Sequence, residues 1–381
     1  MKRILHISKY YEPFKGGTEQ VARDSVRALL GRYEQKVICF NHEPGDAADI
    51  VDGVEVIRVG CFAKVASQSL SLRYGRRLRQ VLEAFRPDVV VFHYPNPFVA
   101  HFLLGQLPVG TKLAVYWHLD IVRQKLLGRL FRGQNRRLVE RADMLIATSP
   151  RYVEGSEWLS GAGDKVRVIP NCIEESRLEM TPEAGAFAAK VRAEAGDRML
   201  CLAVGRHTRY KGFDVLIEAA RELDDRFIVR IAGTGEETEA LKKQAEGVPQ
   251  VRFLGKVADD ELLGWMSAMD IFCFPSITKN EAFGIALAEA MYFAKPAVTF
   301  TILGSGVNYV CRNGMEGLEV PNGDAHAYAE AMRRLAADPE LRQRLGESGR
   351  ERVREHFLYD RFRERIRGAM DALADGRTPK H

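Results

Sequence analysis

Two α/β units, each built on a doubly wound parallel sheet, are the fold class this sequence predicts, and three observations carry it. Short continuous runs of Val, Ile and Leu alternate with helical stretches, as in βαβ units whose sheet is covered on both faces. The rhythm breaks over residues 174–197, which are polar, rich in Ala and Glu and without a strand signal, and it restarts at Met199. The length, 381 residues, exceeds what one hydrophobic core usually supports.

In the first half the predicted strands are residues 3–8, 36–40, 54–59, 88–93, 112–118, 144–149 and 166–170. Helical patterning falls at 18–30, 72–85 and 124–141. The second series predicts strands at 199–204, 227–232, 251–254, 271–275, 297–300 and 317–320, again separated by helices. After Gly323 the chain is helical almost to its end. The expected domains are Rossmann-like units at 1–172 and 173–358, with a last helix at 359–374 crossing back onto the first unit. Ligands are expected where strand carboxyl ends meet the space between the units.

Composition narrows the classes. A hydrophobic share of 46% with 28% charged residues excludes a disordered or collagen-like chain. Six scattered cysteines without a Cys-x-x-Cys pair argue against a zinc site or a disulfide framework. The start lacks the apolar core and cleavage site of a signal peptide, and no apolar run is long enough to span a membrane, so a cytoplasmic protein is expected. The net charge of +5 hides an asymmetry: residues 1–172 hold 26 Lys and Arg against 17 Asp and Glu, and the remainder 30 against 34. The basic excess gathers at Arg73, Arg76, Arg77 and Arg79, and from Arg123 to Arg141 through Lys125, Arg129, Arg132, Arg136 and Arg137. Interleaved leucines make these stretches fit either an anionic membrane surface or a solvated helix face over the core. No stacking platform or reading motif accompanies the charge, so no nucleic-acid partner is expected.

Four features at predicted strand ends carry chemistry. Gly16-Gly17, between the first strand and its helix, either lets a ligand approach the backbone or makes a tight turn. His118, ending the strand at 112–118, is either a site residue or a satisfied structural histidine. Arg206 and Lys211 flank a loop that opens a helix and together suit a pyrophosphate, unless they are plain surface cations. The fourth is the run 276–291, in which Glu281 precedes a helix and Glu289 lies about two turns inside it among Leu287, Ala288, Ala290 and Met291. A carboxylate there needs partners, which vicinal ribose hydroxyls would supply. The amides near Gly284 and Ile285 would face an anion at the helix start. The alternative is a Glu281 helix cap and a chance interior glutamate.

The Glu281-x7-Glu289 pattern with its Phe283-Gly284 core, the Gly205-Arg206…Lys211-Gly212 string, Gly16-Gly17 and Val168-Ile169-Pro170-Asn171 together resemble the retaining GT-B glycosyltransferases of family four. The resemblance covers nearly the whole chain and implies two Rossmann-like domains facing across a cleft. It implies that Arg206 and Lys211 hold the donor diphosphate, and that Glu281 with the amides of Phe283, Gly284 and Ile285 holds sugar and phosphate. It further implies that Glu289 binds the nucleotide ribose, that His118 lies beside the reacting sugar, and that Gly16 and Gly17 approach the ligand from the first domain. Where the family has Pro-Asn-Gly, this chain has Pro170-Asn171-Cys172, which disfavours a left-handed turn at residue 172. The segment Gly304-Ser305-Gly306-Val307-Asn308-Tyr309 is similar to mannosyl- and rhamnosyl-type enzymes of O-antigen and polysaccharide assembly.

The implied reaction moves a hexose, mannose from GDP-mannose in first place, from a nucleotide diphosphate sugar to a glycan or lipid-linked glycan, with retention. No Asp-x-Asp stands at a predicted strand end, so no metal and no other cofactor is expected. A UDP-sugar transferase and a GT-B epimerase or phosphorylase are the near alternatives. A non-catalytic two-lobed sugar-binding protein is the distant one. A nicotinamide dehydrogenase lacks support, because Phe40-Asn41-His42 stands where an acid should end the second strand.

Overall fold

The computed structural model describes residues 1–14, 16–65, 68–120 and 125–376. The chain divides into two compact units, one formed by Met1–Asn171 with Tyr359–His381 and the other by Cys172–Leu358. With residues 359–381 counted in, the first unit holds 32 Lys and Arg against 21 Asp and Glu, and the second 24 against 30.

The first unit is built on eight strands: β1 (Arg3–Ile7), β2 (Glu34–Phe40), β3 (Ala47–Val51), β4 (Val54–Val59), β7 (Val89–Tyr94), β8 (Lys112–Trp117), β9 (Met144–Ala147) and β10 (Val166–Val168). They run β10-β9-β8-β7-β1-β2-β4-β3, and β5 (Ala63–Val65) with β6 (Gln68–Leu70) forms a separate hairpin. Continuous apolar strands such as β7 are buried along their whole length, as a sheet covered on both faces requires. All pairings in the large sheet are parallel except β3 with β4. That edge strand is absent from the sequence expectation because Ala-Ala-Asp-Ile-Val is mostly exposed and shows no clear alternation. Its signal lies in the turn: Asp52 and Gly53 both have positive φ, 51° and 79°, the geometry of a two-residue hairpin.

Helices α1 (Gly17–Ala28), α2 (Tyr74–Phe85), α3 (Pro97–Gln106), α4 (Lys125–Arg141) and α5 (Pro150–Gly155) belong to this unit. In α2, Tyr74, Leu78, Val81, Leu82 and Phe85 are buried in the core, while Arg76, Arg77 and Arg79 are exposed. The apolar face of this basic helix is therefore already covered by the protein itself, with Leu72 left fully exposed just before it. In α4, Leu138 is buried and Arg132, Arg136 and Arg137 are exposed, with Arg132 paired to Glu157 at 3.1 Å. Arg123 lies outside the described residues, as do the side chains of Lys125, Leu126, Leu127, Arg129 and Leu130.

The second unit carries six parallel strands: β11 (Met199–Val204), β12 (Phe227–Ala232), β13 (Val251–Gly255), β14 (Ile271–Phe274), β15 (Ala297–Phe300) and β16 (Gly317–Val320), ordered β13-β12-β11-β14-β15-β16. Its helices are α6 (Pro182–Ala195), α7 (Phe213–Arg221), α8 (Thr238–Gln244), α9 (Asp259–Ala268), α10 (Ile285–Tyr292), α11 (Val307–Val310), α12 (Ala325–Ala337) and α13 (Pro339–His356). The final helix, α14 (Tyr359–Ala374), returns to the first unit and packs on α1. Arg367 donates to the Ala28 carbonyl at 2.6 Å there, and Tyr33 and Arg32 both donate to the Asp371 carboxylate.

Cys172 does not need the left-handed turn that a glycine would favour. It is buried with ordinary φ, and the next residue, Ile173, donates its amide to the Phe357 carbonyl at 2.9 Å. All six cysteines are free thiols. Among the described residues no helix is long and apolar enough to cross a membrane.

Candidate functional site

Strand order locates the sites. In an open parallel sheet, ligands bind outside the strand carboxyl ends where the order reverses. In the second unit the reversal falls between β11 and β14, and in the first between β1 and β7. The loops leaving β1, β11 and β14 carry most of the residues singled out by the sequence, and His118 follows β8, the neighbour of β7.

In the second unit the loop after β11 passes through a 3-10 turn at Arg209–Lys211 to Gly212 and α7. Lys211 crosses to the loop after β14 and forms an ion pair with Glu281. The same Glu281 oxygen, Oε2, accepts a bond from Ser276 Oγ at 3.1 Å. The Lys211 ammonium also lies over the Phe274 and Tyr210 rings, 5.1 and 5.5 Å from their centroids. Burial alone would favour the neutral amine, but the Glu281 carboxylate outweighs it and raises the Lys211 pKa. The cation pair expected from the sequence is thus unequal. Lys211 is neutralised within the protein, whereas Arg206 is exposed and makes no ion pair among the described residues.

Two glycines make this junction possible. Gly212 has φ +64°, and a Cβ there would overlap the Pro275 carbonyl oxygen. Gly284 has φ +92° and forms the N-cap of α10, which receives no side-chain capping bond. Glu281 is therefore not the cap of this helix; its side chain turns to Lys211 instead. The segment 281–283 is held by Ser305, whose hydroxyl donates to the Glu281 carbonyl, and by Gly306, which packs on the Ala282 carbonyl. The buried Phe283 ring meets Phe357 edge-on at 5.3 Å. Asn308, in the segment that resembles mannosyl-type enzymes, is buried, donates to the Phe300 carbonyl and accepts from the Ile302 amide, both at 2.9 Å. It therefore shapes the loop around Glu281.

Among the described residues the amides of Phe283, Gly284 and Ile285 donate no hydrogen bond, as the first turn of a helix leaves them. Glu289 lies further along α10, half-buried between the buried Ala288 and Ala290. Its side chain has no hydrogen-bond or ion-pair partner among the described residues, and burial raises its pKa against the opposing pull of Arg177. A carboxylate so placed suits a ligand with paired hydroxyls.

In the first unit Gly16 is the N-cap of α1, in an extended conformation open to any residue. Its lack of a side chain matters because a Cβ would run into the Glu19 carboxylate. At Gly17 nothing lies within 4 Å of a Cβ, so no neighbour within the protein demands this glycine. His118 follows β8 and is buried, stacked on Tyr116 at 4.5 Å and hydrogen-bonded through Nε2 to His93 Nδ1 at 3.0 Å. Burial lowers its pKa to about 3, so the ring is neutral. The turn beyond it is pinned by the buried Asp120, whose Oδ1 accepts from Trp117 Nε1 at 2.8 Å and Ser156 Oγ at 2.9 Å.

The sequence reading missed three contributors. His93 is the penultimate residue of β7, where one imidazole interrupts an apolar run. Gly233 and Gly235 follow β12, and side chains there would overlap the carbonyls of Gly205 and His207. A Gly-x-Gly pair directly after a predicted strand was the available signal. Among the described residues no group of three His, Cys, Asp or Glu is arranged to hold a metal ion.

Known proteins agree with this architecture. The family described as "Glycosyl transferase 4-like domain" matches residues 16–172, and "Glycosyl transferases group 1" matches 187–352. The chain is 30% identical to O-antigen chain mannosyltransferase C of Escherichia coli, over 94% of this chain and 95% of that one. It is 31% identical to D-rhamnosyltransferase WbpZ of Pseudomonas aeruginosa, over 93% and 92%. Among solved structures it resembles sucrose-phosphate synthase from Thermosynechococcus elongatus, with a TM-score of 0.80 and 20% identity over 99% of this chain and all of that one. Anabaena Alr3699/HepE in complex with UDP and glucose gives 0.79 and 17%, over 98% and 100%. The chain belongs to family four of the GT-B-fold glycosyltransferases, and it is an enzyme of hexosyl transfer from a nucleotide sugar.

Proposed function

We propose that this enzyme transfers mannose from GDP-mannose, with retention and without a metal ion, to a glycan or lipid-linked glycan acceptor. The observation that carries the site assignment is the junction of Lys211 and Glu281 beside the unbonded amides that open α10. Arg206 supplies a mobile cation for the diphosphate, and Lys211 a fixed one. The Phe283, Gly284 and Ile285 amides add the positive end of a helix, so charge on the leaving diphosphate is met by protein groups alone. Glu289 takes the ribose hydroxyls. Glu281 orients Lys211 and offers its carboxylate to the donor sugar, while His118, Gly16 and Gly17 act from the first unit on the sugar and phosphate. Retention then follows a front-face course, with the leaving phosphate assisting removal of the acceptor proton.

The mannose choice is supported by the names of the relatives, which include a "Phosphatidyl-myo-inositol mannosyltransferase" of Mycobacterium leprae. A UDP-hexose is the second reading, favoured by the UDP-glucose complex of the Anabaena neighbour. Thermal-shift measurements with GDP-, UDP-, ADP- and dTDP-sugars test this directly, since a ligand at a hundred times its Kd stabilises the folded state by about 2.7 kcal/mol. GDP-mannose should give the largest shift, and no shift with any of them would overturn the reading. Nucleoside diphosphate release that needs the acceptor separates a transferase from an epimerase.

For the acceptor, we infer peripheral contact with anionic lipid at the inner face of the cell membrane. Its support is the exposed row Arg73, Arg76, Arg77 and Arg79 beside the exposed Leu72. Binding to phosphatidylglycerol vesicles should weaken with salt and with Arg76 and Arg77 neutralised. Binding that ignores both refutes it.

A further inference from the structure

His6, His93 and His118 form a diagonal ladder across three neighbouring strands. His6 on β1 stands opposite Val91 of β7, and His93, two residues further along, stands opposite Tyr116 of β8. His118 comes two residues after Tyr116. Side chains two apart on a strand share a face, so the three imidazoles line up on one side of the sheet. Ring centroids are 6.4 Å apart from His6 to His93 and 5.3 Å from His93 to His118, with the planes within 26° and 13°. Burial lowers the His6 pKa to about 4 and the His118 pKa to about 3. For His93, burial and then its two histidine neighbours push it well below the usual value. Each ring is neutral, with one N–H and one lone pair.

Hydrogen-bond partners decide which nitrogen carries each proton. His6 Nε2 lies 2.9 Å from Gln35 Oε1, and the Gln35 amide is oriented by its own donation to the Val26 carbonyl at 3.1 Å. His6 is therefore protonated at Nε2, and its buried, partnerless Nδ1 is a lone pair. In His93 the buried partnerless atom is Nε2. Orphaned buried N–H groups are rarer than orphaned acceptors, so this atom too is the lone pair and the proton sits on Nδ1. That N–H donates to His118 Nε2. A neutral His118 that accepts at Nε2 carries its own proton on Nδ1, which has no acceptor among the described residues.

We propose that His93 is a positioning residue that locks His118 as its Nδ1–H tautomer, so that His118 meets the bound sugar as a hydrogen-bond donor and not as a base. This rests on the placement of His118 beside the reacting sugar. Its mechanistic content is that the acceptor proton does not pass to His118, because the ring nitrogen not engaged by His93 already holds one.

The test is a two-bond proton–nitrogen correlation spectrum of the ligand-free full chain, with histidines assigned through single variants. His118 should show a pyrrole-type Nδ1 and a pyridine-type Nε2, unchanged from pH 8 to pH 5.5; protonation at Nε2 overturns the proposal. In His93→Leu the two His118 nitrogens should move toward averaged shifts, and persistence of the single tautomer overturns the role of His93. Turnover of His93→Leu should fall about tenfold with KM for the nucleotide sugar within about twofold, the effect of one lost orienting hydrogen bond. His93→Asn, whose amide can stand in for Nδ1–H, should recover most of that loss, and failure to do so counts against the proposal. If His93→Leu does not fold, the wild-type spectrum and His93→Asn decide. Full activity of His118→Ala would overturn the placement beside the sugar, whereas the spectra judge the tautomer independently.

Discussion

Lys211 and Glu281, seventy residues apart in sequence, meet in an ion pair whose acceptor oxygen is shared with Ser276. Both side chains retain only 13% of their exposure. Removing one partner leaves the other charge short of solvent and of a counter-charge. Lys211→Met and Glu281→Gln should each abolish transfer and lower stability by about 1–3 kcal/mol, and the double variant should lose less than the sum. Urea unfolding of the four proteins measures the coupling; strict additivity would mean the pair contributes nothing.

Glu289 behaves differently because its side chain has no ion-pair or hydrogen-bond partner among the described residues and feels only the more distant pull of Arg177. Glu289→Gln should leave ligand-free stability unchanged or slightly improved, since a half-buried carboxylate is replaced by a neutral isostere. The same change should weaken nucleoside diphosphate binding by about tenfold or more through the lost charged hydrogen bonds. Calorimetric titration beside a thermal melt checks both halves, and parallel loss of stability and binding would point to a structural role.

Gly212 is required by backbone conformation and by space together. Gly212→Ala should destabilise the second unit by about 1–3 kcal/mol. It should also raise KM for the nucleotide sugar, because the displaced residue neighbours Lys211. Steady-state kinetics with a denaturation curve would show it, and an unperturbed protein would contradict the local geometry.

His6, His93 and His118 make folding proton-linked, and His207, whose pKa burial also lowers, adds in the same direction. Each of the first three is neutral when folded but titrates near pH 6.5 when unfolded, so the unfolded state binds more protons below that value. Stability should therefore be fully present above about pH 6.5, fall as the pH is lowered through it, and level off for each group only near its folded value. Unfolding at pH 5 should take up about three protons on this account, and His6→Gln, which can still donate to Gln35, should remove about one. Melting curves from pH 8 to pH 5 measure the slope, and an unchanged slope in His6→Gln would contradict the account.

Much of the fold was legible in local pattern. Strands at 54–59, 199–204, 227–232, 297–300 and 317–320 match residue for residue, because buried parallel strands are bounded apolar runs. Those expected at 112–118 and 144–149 end sooner, at Trp117 and Ala147, where the apolar runs give way to His118 and to Thr148-Ser149, with Ser149 capping α5. The edge strand at 47–51 escaped because it buries almost nothing. The pattern from Glu281 to Glu289 and the Arg206–Lys211 loop lie after β14 and β11, the two strands between which the order reverses.

Residue types, their spacing along single elements and the alternation of strand and helix are local properties, and the amino-acid sequence alone determined two parallel-sheet units and the loops that matter. Tertiary structure decided which of those residues touch. It made Glu281 the partner of Lys211, left Arg206 without an ion pair among the described residues, and showed that the apolar face of α2 lies in the core. It also set the register that brings His93, invisible as a site residue by itself, onto the ring of His118. Register between parallel strands depends on helices and loops between them and on packing across the sheet. That information is spread over the whole chain and is carried by no single motif.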